Sequence, residues 1–305
     1  INENLHTKFD LAFHYHQRGD FDAARKLYLD ILSEAPSYFE ALQLMATLEA
    51  QTGRKEHALP WFVKALAINQ SNPVVWNNHG NVLNELGRYA DALKSYTHAL
   101  RLDPKNAQVL NNRGMVFKKI NRLQEALDDY DRAVLIQPNL AQAYNNRAIA
   151  LRELMRFEQA LFSYDKAIEN DPNNAQFLYN RGLLLKTMGR SREALESFSH
   201  AIALNRQYAG AYLEKGVLLQ AFNQLALAIE SYEIALSLNP QFDFLEGILL
   251  QARMYRCDWD QFDKKIQTLN MKIANGQKVA TPFSYLSLND SLSLQSTVAR
   301  KWTEE

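Results

Sequence analysis

Apolar residues recur along this chain at helical spacing, in short stretches separated by glycine, asparagine or proline. Residues 76–86 and 89–100 each place apolar or small side chains three or four positions apart. A period near 3.6 predicts amphipathic α-helices that bury one face. Gly87 lies between the two stretches and Pro104 follows the second, so we expect a tight turn and then a helix end. The pattern predicts a helical hairpin, in which we name the first helix A and the second helix B.

The same hairpin returns every 34 residues, with an alanine at one position of helix B and an aromatic residue four positions later. The alanines are Ala24, Ala58, Ala92, Ala126, Ala160, Ala194 and Ala228, and the aromatic residues are Tyr28, Phe62, Tyr96, Tyr130, Tyr164, Phe198 and Tyr232. Antiparallel helices approach closely only where a side chain is small, and the aromatic ring fills the space beside it. A fixed period without insertions indicates a solenoid of stacked helical hairpins that presents a long surface.

This unit resembles the tetratricopeptide repeat. In the third unit the residues that carry the resemblance are Trp76, Gly80, Leu83, Ala92, Tyr96, Ala99 and Pro104. Within a repeat region of residues 1–242 we assign seven repeats, which are 5–38, 39–72, 73–106, 107–140, 141–174, 175–208 and 209–242. The resemblance implies an all-α fold, a right-handed superhelical solenoid whose A helices line a concave groove and whose B helices lie outside.

Composition narrows the classes of partner. Lys plus Arg and Asp plus Glu both number 34, so the formal net charge is zero and we expect neither nucleic-acid nor membrane binding. A single cysteine, Cys257, excludes an internal disulfide and is typical of a reducing compartment, here predicted to be the cytoplasm. The sequence contains no signal-peptide pattern and no apolar stretch of spanning length, so we expect no spanning helix. Its first residue is Ile1 and not Met, so we expect a fragment of a longer chain.

Asparagine occupies one position of helix A in four consecutive repeats. The sixth residue of each repeat is Asp10, Leu44, Asn78, Asn112, Asn146, Asn180 or Glu214. We name Asn78, Asn112, Asn146 and Asn180 the asparagine ladder, and three of them follow a second asparagine, at Asn77, Asn111 and Asn145. Asparagine is a mediocre helix former, so the ladder calls for an explanation.

A side-chain amide offers donors and an acceptor, so it can pair with the N–H and C=O groups of a peptide of any sequence. All seven asparagines are therefore candidates for binding extended peptide segments along the groove. The alternative is that these amides bond to neighbouring helices or water and only adjust how the repeats stack.

The seventh position of the third to seventh repeats is basic, with His79, Arg113, Arg147, Arg181 and Lys215. These residues could form a stripe that binds acidic peptides. We favour pairing within the repeat to acids of helix B such as Asp131 and Asp165.

The repeats contain no pattern that predicts catalysis, a metal site or a cofactor site. His14 and His16 point to different faces of a helix, and no glycine-rich phosphate loop occurs. We therefore predict no catalytic, metal or cofactor residue in this chain.

The repeat pattern weakens after Pro240. Residues 243–276 read as a degenerate repeat in which Phe262 replaces the alanine and Ile266 the aromatic residue. We expect Cys257 to be a buried structural thiol beside a packed Trp259. Residues 277–305 read as a linker and a terminal helix, with a turn at 281–283, a short segment at 284–288 and a helix from Asp290 or Ser291 to the end.

This ending resembles O-linked N-acetylglucosamine transferases and their Spindly-type relatives. The residues that carry the resemblance are Cys257-Asp258-Trp259, Thr281-Pro282-Phe283-Ser284-Tyr285-Leu286, and Gln295 with Ala299-Arg300-Lys301-Trp302. The resemblance implies a bacterial-style parent enzyme that moves a sugar from a donor such as UDP-GlcNAc to Ser or Thr of proteins. It also implies that the degenerate unit joins the groove to two catalytic nucleotide-fold domains, which would begin where this sequence stops.

Two functions follow as expectations. The first is the acceptor-recognition arm of such a protein O-glycosyltransferase, and the second is a non-catalytic scaffold for protein–protein interaction. In either case we expect this chain to bind and not to catalyse, with extended peptide segments as its ligands. The convex face is the candidate surface for a homodimer.

Overall fold

A computed structural model describes residues 3–303 of the chain, and within that range every regular element is helical. The chain divides into two compact units, of which the first ends at Asn170 and the second begins at Asp171.

The first unit is a series of helix pairs. Its helices are α1 (Glu3–Gln17), α2 (Phe21–Glu34), α3 (Phe39–Gln51), α4 (Lys55–Ile68), α5 (Pro73–Glu85), α6 (Tyr89–Leu102), α7 (Ala107–Lys119), α8 (Leu123–Ile136), α9 (Ala141–Glu153) and α10 (Phe157–Asn170). Each odd-numbered A helix packs against the B helix that follows it, and the next A helix packs against that B helix. Successive A helices also touch one another, so they lie side by side and form one continuous surface of this unit.

The second unit continues the pairing and ends in two further helices. Its helices are α11 (Ala175–Thr187), α12 (Ser191–Leu204), α13 (Ala209–Ala221), α14 (Leu225–Leu238), α15 (Leu245–Tyr255), α16 (Phe262–Ala274), α17 (Pro282–Leu286) and α18 (Leu292–Thr303). The last two pack on each other, α17 also packs on α15, and α18 also packs on α16.

The predicted alanine and aromatic positions form the core of each pair. All seven alanines are fully buried, and the seven aromatic side chains are at most 1 % exposed. In four repeats the ring faces a glycine of helix A, and a Cβ added to that glycine would lie only 2.5–2.8 Å from the ring. The four pairs are Gly80 with Tyr96, Gly114 with Tyr130, Gly182 with Phe198, and Gly216 with Tyr232. Because the glycine has no side chain, the ring of helix B packs directly against helix A. This contact fixes how the two helices pack.

The turn between helices A and B has the same backbone conformation in every repeat. The turn residue has a φ between 57° and 79° at Gly19, Gly53, Gly87, Asn121, Met155, Gly189, Asn223 and Cys257. Only a left-handed residue closes the turn in this way, so Met155 adopts that conformation although its side chain disfavours it. The register also reaches Cys257, one period beyond the seven predicted repeats.

The expectation of a buried Cys257 beside a packed Trp259 is wrong. Cys257 is exposed, and Trp259 is 58 % exposed, although its ring lies edge-on to that of Phe262. The reason is the turn position, where the φ of 61° directs the chain around the hairpin end and leaves the side chain in solvent.

The C-terminal segment differs from its predicted form. Thr281 to Phe283 is not a turn but the start of α17, because the Thr281 side chain accepts a hydrogen bond from the Ser284 N–H at 3.1 Å and Pro282 suits the first helical position. The terminal helix begins at Leu292, slightly later than predicted, and its predicted last residues, 304 and 305, lie outside the described range.

Backbone contacts attach this segment to the start of α15. The Gly247 N–H donates to the carbonyl oxygen of Val279 at 2.8 Å, and a Cβ on Gly247 would lie 2.5 Å from that of Ala280. Tyr285 is fully buried and donates from its hydroxyl group to Asn270 at 2.6 Å. The end of the described chain is thus packed onto the last helix pair.

None of the helices within residues 3–303 has both the length and the apolar character needed to cross a bilayer.

Candidate peptide-binding surface

The asparagine ladder lies on A helices, as the sequence predicts. Asn78, Asn112 and Asn146 belong to α5, α7 and α9 of the first unit, and Asn180 belongs to α11 of the second. Asparagine side chains also cap the start of three of these helices. Asn72 accepts from the Val74 N–H, Asn106 from the Val109 N–H, and Asn174 from the Gln176 N–H. These caps satisfy backbone N–H groups in the first turn of the helices that carry the ladder.

Two of the four ladder amides, Asn112 and Asn146, bond to the preceding A helix. The Asn112 side-chain nitrogen donates to the side-chain Oδ1 atoms of Asn77 at 3.2 Å and Asn81 at 3.1 Å. The Asn146 nitrogen donates to the Asn111 oxygen at 2.9 Å. Each bond joins side chains 31 to 35 residues apart in sequence. The doubled asparagines therefore form bridges between repeats, which is the alternative that the sequence left open.

Three glutamines that the sequence pattern did not single out donate hydrogen bonds to ladder asparagines. Gln108 donates to the Asn112 oxygen at 3.0 Å, Gln142 to Asn146 at 3.0 Å, and Gln176 to Asn180 at 2.9 Å. Each glutamine lies four residues earlier on the same helix, where side chains are neighbours. The signal was present in the sequence, because these glutamines are themselves 34 residues apart.

Burial separates the seven predicted residues into two groups. Asn111, Asn145 and Asn146 are 1 %, 4 % and 8 % exposed, so a ligand has little access to them. The other four are half-buried, and they are Asn77, Asn78, Asn112 and Asn180. On the first unit, the reachable amides therefore lie on α5 and α7.

Asn78 has the greatest remaining capacity for a hydrogen bond. Its oxygen accepts from the Asn77 nitrogen at 3.2 Å, whereas its own nitrogen has no hydrogen-bond partner among the described residues. The side chain lines a cavity of about 210 Å³ between α3 and α5, together with Phe62 and Asn81. Asn81 is already engaged, since it accepts from the Tyr96 hydroxyl at 2.7 Å as well as from Asn112. A half-buried amide donor thus faces an open cavity.

The basic positions beside the ladder are occupied by internal contacts. Arg113 binds Asp129 of its own repeat through two hydrogen bonds of 2.7 Å each, and Asp129 is only 3 % exposed. Arg147 donates to Asp131 at 2.5 Å, and this acid belongs to the preceding repeat and not to the same one. Pairing with an acid of the same repeat is therefore found for Arg113. Arg147 binds an acid of the preceding repeat instead, and within its own repeat it donates to the Ser163 hydroxyl at 2.6 Å.

Two more members of this position bond to buried serines of helix B. The Nδ1 atom of His79 lies 3.0 Å from the Ser95 hydroxyl, and Arg181 donates to Ser197 at 2.8 Å. Burial lowers the pKa of His79 below its usual value of 6.5, and the nearby Arg88 adds to this effect. The neutral imidazole is thus favoured, and His79 does not contribute a positive charge to a ligand stripe at neutral pH.

Family profiles of the tetratricopeptide repeat match most of the region built from these helix pairs. The matched residues are 9–73, 80–121, 107–140, 141–174, 163–196 and 209–242. The chain therefore belongs to the tetratricopeptide repeat proteins, and its repeat region is of the kind that serves as a protein-interaction scaffold.

Solved structures share this fold. A tetratricopeptide repeat protein from Parabacteroides merdae is 18 % identical, with a TM-score of 0.63 over 78 % of this chain and 94 % of that chain. PilW, a type IV pilus biogenesis factor, is 22 % identical, with a TM-score of 0.63 over 72 % and 100 %. PilF from Pseudomonas aeruginosa is 24 % identical, with a TM-score of 0.61 over 73 % and 98 %. At such identities the likeness concerns the fold alone.

Proposed function

We propose that this chain binds extended segments of partner proteins along the A-helix surface of its first unit. The observation that carries the proposal is the Asn78 amide, whose donor nitrogen is unpaired among the described residues and faces a cavity. A half-buried donor of this kind is satisfied by a ligand carbonyl group or by water.

The surface can grip a peptide backbone only at a few points. Asn78 offers its N–H groups, whereas Asn112 uses both of its N–H groups internally and retains acceptor capacity on its oxygen. Each net hydrogen bond contributes about 0.5–1.5 kcal/mol, so binding through these amides alone is weak. Affinity must therefore come from several contacts made by one segment.

The test is binding of unstructured peptides by Asn78→Ala, measured by calorimetry. We expect an affinity loss of about 3- to 10-fold, which corresponds to one hydrogen bond. Asn139→Ala is the matched control, since Asn139 is an exposed asparagine in the turn before α9. Equal affinities for wild type, Asn78→Ala and the control, with unchanged helical circular dichroism, would contradict the proposal. Asn146 is unsuitable for this test because it is buried between repeats.

A narrower function is proposed on the C-terminal residues. The three segments 257–259, 281–286 and 299–302 stand in the order expected of an O-linked N-acetylglucosamine transferase, which favours acceptor recognition for a nucleotide-sugar-dependent protein glycosyltransferase. In that case the natural protein would continue beyond Glu305 into two nucleotide-fold domains, and UDP-GlcNAc or a related nucleotide sugar would be the donor.

The coding sequence after codon 305 tests this narrower function directly. Two nucleotide-fold domains would support it, and transfer of sugar from UDP-GlcNAc to Ser or Thr of a bound peptide would then be assayed with wild type and Asn78→Ala. A stop codon or an unrelated domain removes the glycosyltransferase proposal and leaves the peptide-binding scaffold.

A homodimer would use the outward faces of B helices, where Val63 and Phe162 are 57 % and 56 % exposed. Sedimentation of wild type and Phe162→Asp tests it: a dimer that the substitution dissociates supports this contact, and a monomeric wild type removes it.

A further inference from the structure

The A-helix surface changes character within the first unit. Leu44 stands in the ladder register, 34 residues before Asn78, and Phe13 of the neighbouring A helix stands 34 residues before Thr47. Phe13 is 39 % exposed, and its ring stacks parallel to Phe9 with 6.4 Å between centroids. The surface of α1 and α3 thus carries apolar side chains at Phe13 and Leu44, whereas α5 and α7 present amides at Asn78 and Asn112.

Three cavities run along these helices and share their walls. A cavity of about 230 Å³ and another of about 500 Å³ have both Phe13 and Leu44 in their linings. The larger one shares Thr47 and Gln51 with the cavity of about 210 Å³ at Asn78. The cavities that contain Phe13 and Leu44 thus lie next to the cavity that the Asn78 amide lines.

The charge of these cavities restricts what can enter. Among the described residues that line them, the acidic side chains are Glu40 and Glu85, and lysine and arginine are absent. Lys55 pairs with Glu85 at 2.8 Å, whereas Glu40 is exposed in the first turn of α3. The apolar end therefore suits a ligand with a basic residue and disfavours an acidic one.

Helix spacing sets how much of a peptide the cavities cover. Neighbouring helix axes are about 8–10 Å apart, and an extended chain rises about 3.3 Å per residue, so one A helix corresponds to about three residues. A side chain seated at Phe13 and Leu44 thus lies about three residues from the backbone that reaches Asn78.

We propose that the three cavities form one site for an extended peptide segment with a large apolar anchor residue and a lysine or arginine beside it. The anchor, such as phenylalanine or leucine, enters between Phe13 and Leu44, and the backbone about three residues away bonds to Asn78. This inference rests on the proposed function, and it adds which class of peptide sequence the surface binds.

The experiment is selection from a displayed library of random peptides of about 12 residues, which is long enough to cover four A helices. The baits are wild type, Leu44→Asn, Phe13→Asn, Asn78→Ala and the control Leu135→Asn. Leu135 is 81 % exposed on α8, outside the cavities. Leu44→Asn introduces the residue that the same position holds at Asn78, so the fold has a precedent for it, and Phe13→Asn provides an independent second variant.

We expect wild type and Leu135→Asn to enrich peptides with a large apolar residue at one position and a basic neighbour. Leu44→Asn and Phe13→Asn should lower that enrichment by about 10-fold or more, the factor associated with burying one large apolar side chain. Asn78→Ala should weaken all selected peptides and keep the apolar preference.

The contrary outcomes separate this inference from the proposed function. The anchor site is overturned if Leu44→Asn and Phe13→Asn enrich apolar peptides as strongly as wild type does. It is also overturned if wild type selects peptides without an apolar preference and this selection still depends on Asn78. Both outcomes leave peptide binding itself intact. No selected peptide on wild type overturns both. A dimer in sedimentation that Leu44→Asn dissociates would show that a second copy occupies the cavities, and it would overturn the peptide anchor.

Discussion

The side-chain nitrogen of Asn146 donates a hydrogen bond to the side-chain oxygen of Asn111, 2.9 Å away on the preceding A helix, and both residues are buried. The pair joins two repeats at the level where the sequence suggests a ligand contact. A ladder residue can therefore serve the stacking of repeats, and each one has to be judged by its own exposure.

Asn146→Ala should lower the free energy of unfolding by about 1–3 kcal/mol, because the buried Asn111 oxygen loses its partner. Urea denaturation measures this loss. Gln142→Ala is the control, since it removes an exposed donor to the same Asn146 and should change stability by less than about 0.5 kcal/mol. Equal losses of stability for the two substitutions would show that the buried hydrogen bond between Asn146 and Asn111 contributes no more than the exposed one.

Gly216→Ala should destabilise the second unit by about 1–3 kcal/mol, because the added Cβ would lie 2.5 Å from the buried ring of Tyr232. Thermal unfolding followed by circular dichroism gives the change. Gly210→Ala lies on the same helix, where the nearest atom would be the Tyr179 hydroxyl at 3.3 Å, so a gain of up to about 1 kcal/mol in helix propensity is expected instead. A Gly216→Ala variant more stable than wild type would show that the Tyr232 ring moves aside without a cost in free energy.

Arg113→Ala should cost about 3 kcal/mol of stability, because it leaves the Asp129 carboxylate buried without its bidentate partner. Arg147→Ala is the comparison, and it should cost within about 1 kcal/mol since the Asp131 side chain is 48 % exposed. Chemical denaturation measures the loss of stability of both variants. A larger loss for Arg147→Ala than for Arg113→Ala would contradict this ranking.

Cys257→Gly should raise the free energy of unfolding by about 1 kcal/mol, because glycine adopts the φ of 61° without the steric cost of a side chain. Gly189→Ala, at the same turn position with nothing within 4 Å of the added Cβ, should lower it by a similar amount. Urea denaturation measures both. A marked loss on Cys257→Gly would be the result expected of a buried thiol and would contradict the exposed position.

The local structure of this protein was largely predictable. Spacing of apolar residues gave the helices of the seven repeats, and the alanine and aromatic positions gave their packing, since these depend on contacts within about one repeat. The errors lie where the repeat weakens. The sequence predicts a turn at Thr281 to Phe283 because a proline there fits both a turn and a first helical position, and only the Ser284 contact distinguishes the two.

The roles of identical residues were not predictable in the same way. Asn78 and Asn146 hold the same position of their repeats, yet Asn78 faces a cavity and Asn146 is 8 % exposed. Likewise Arg113 finds its acid within its own repeat, whereas Arg147 finds it in the preceding one. Each partner lies on another helix, so the choice depends on how neighbouring helices are placed.

The sequence by itself determined the period, the helix pairs, the left-handed turns and membership of the tetratricopeptide repeat proteins, because a register of 34 residues repeats the same local contacts. Only the tertiary structure decided which amides remain open to a ligand, that Cys257 is exposed, and that the cavity at Phe13 and Leu44 shares Thr47 and Gln51 with the cavity at Asn78. The physical reason is that side-chain burial and hydrogen-bond partners are set by contacts between helices, which a one-dimensional pattern of residue types does not specify.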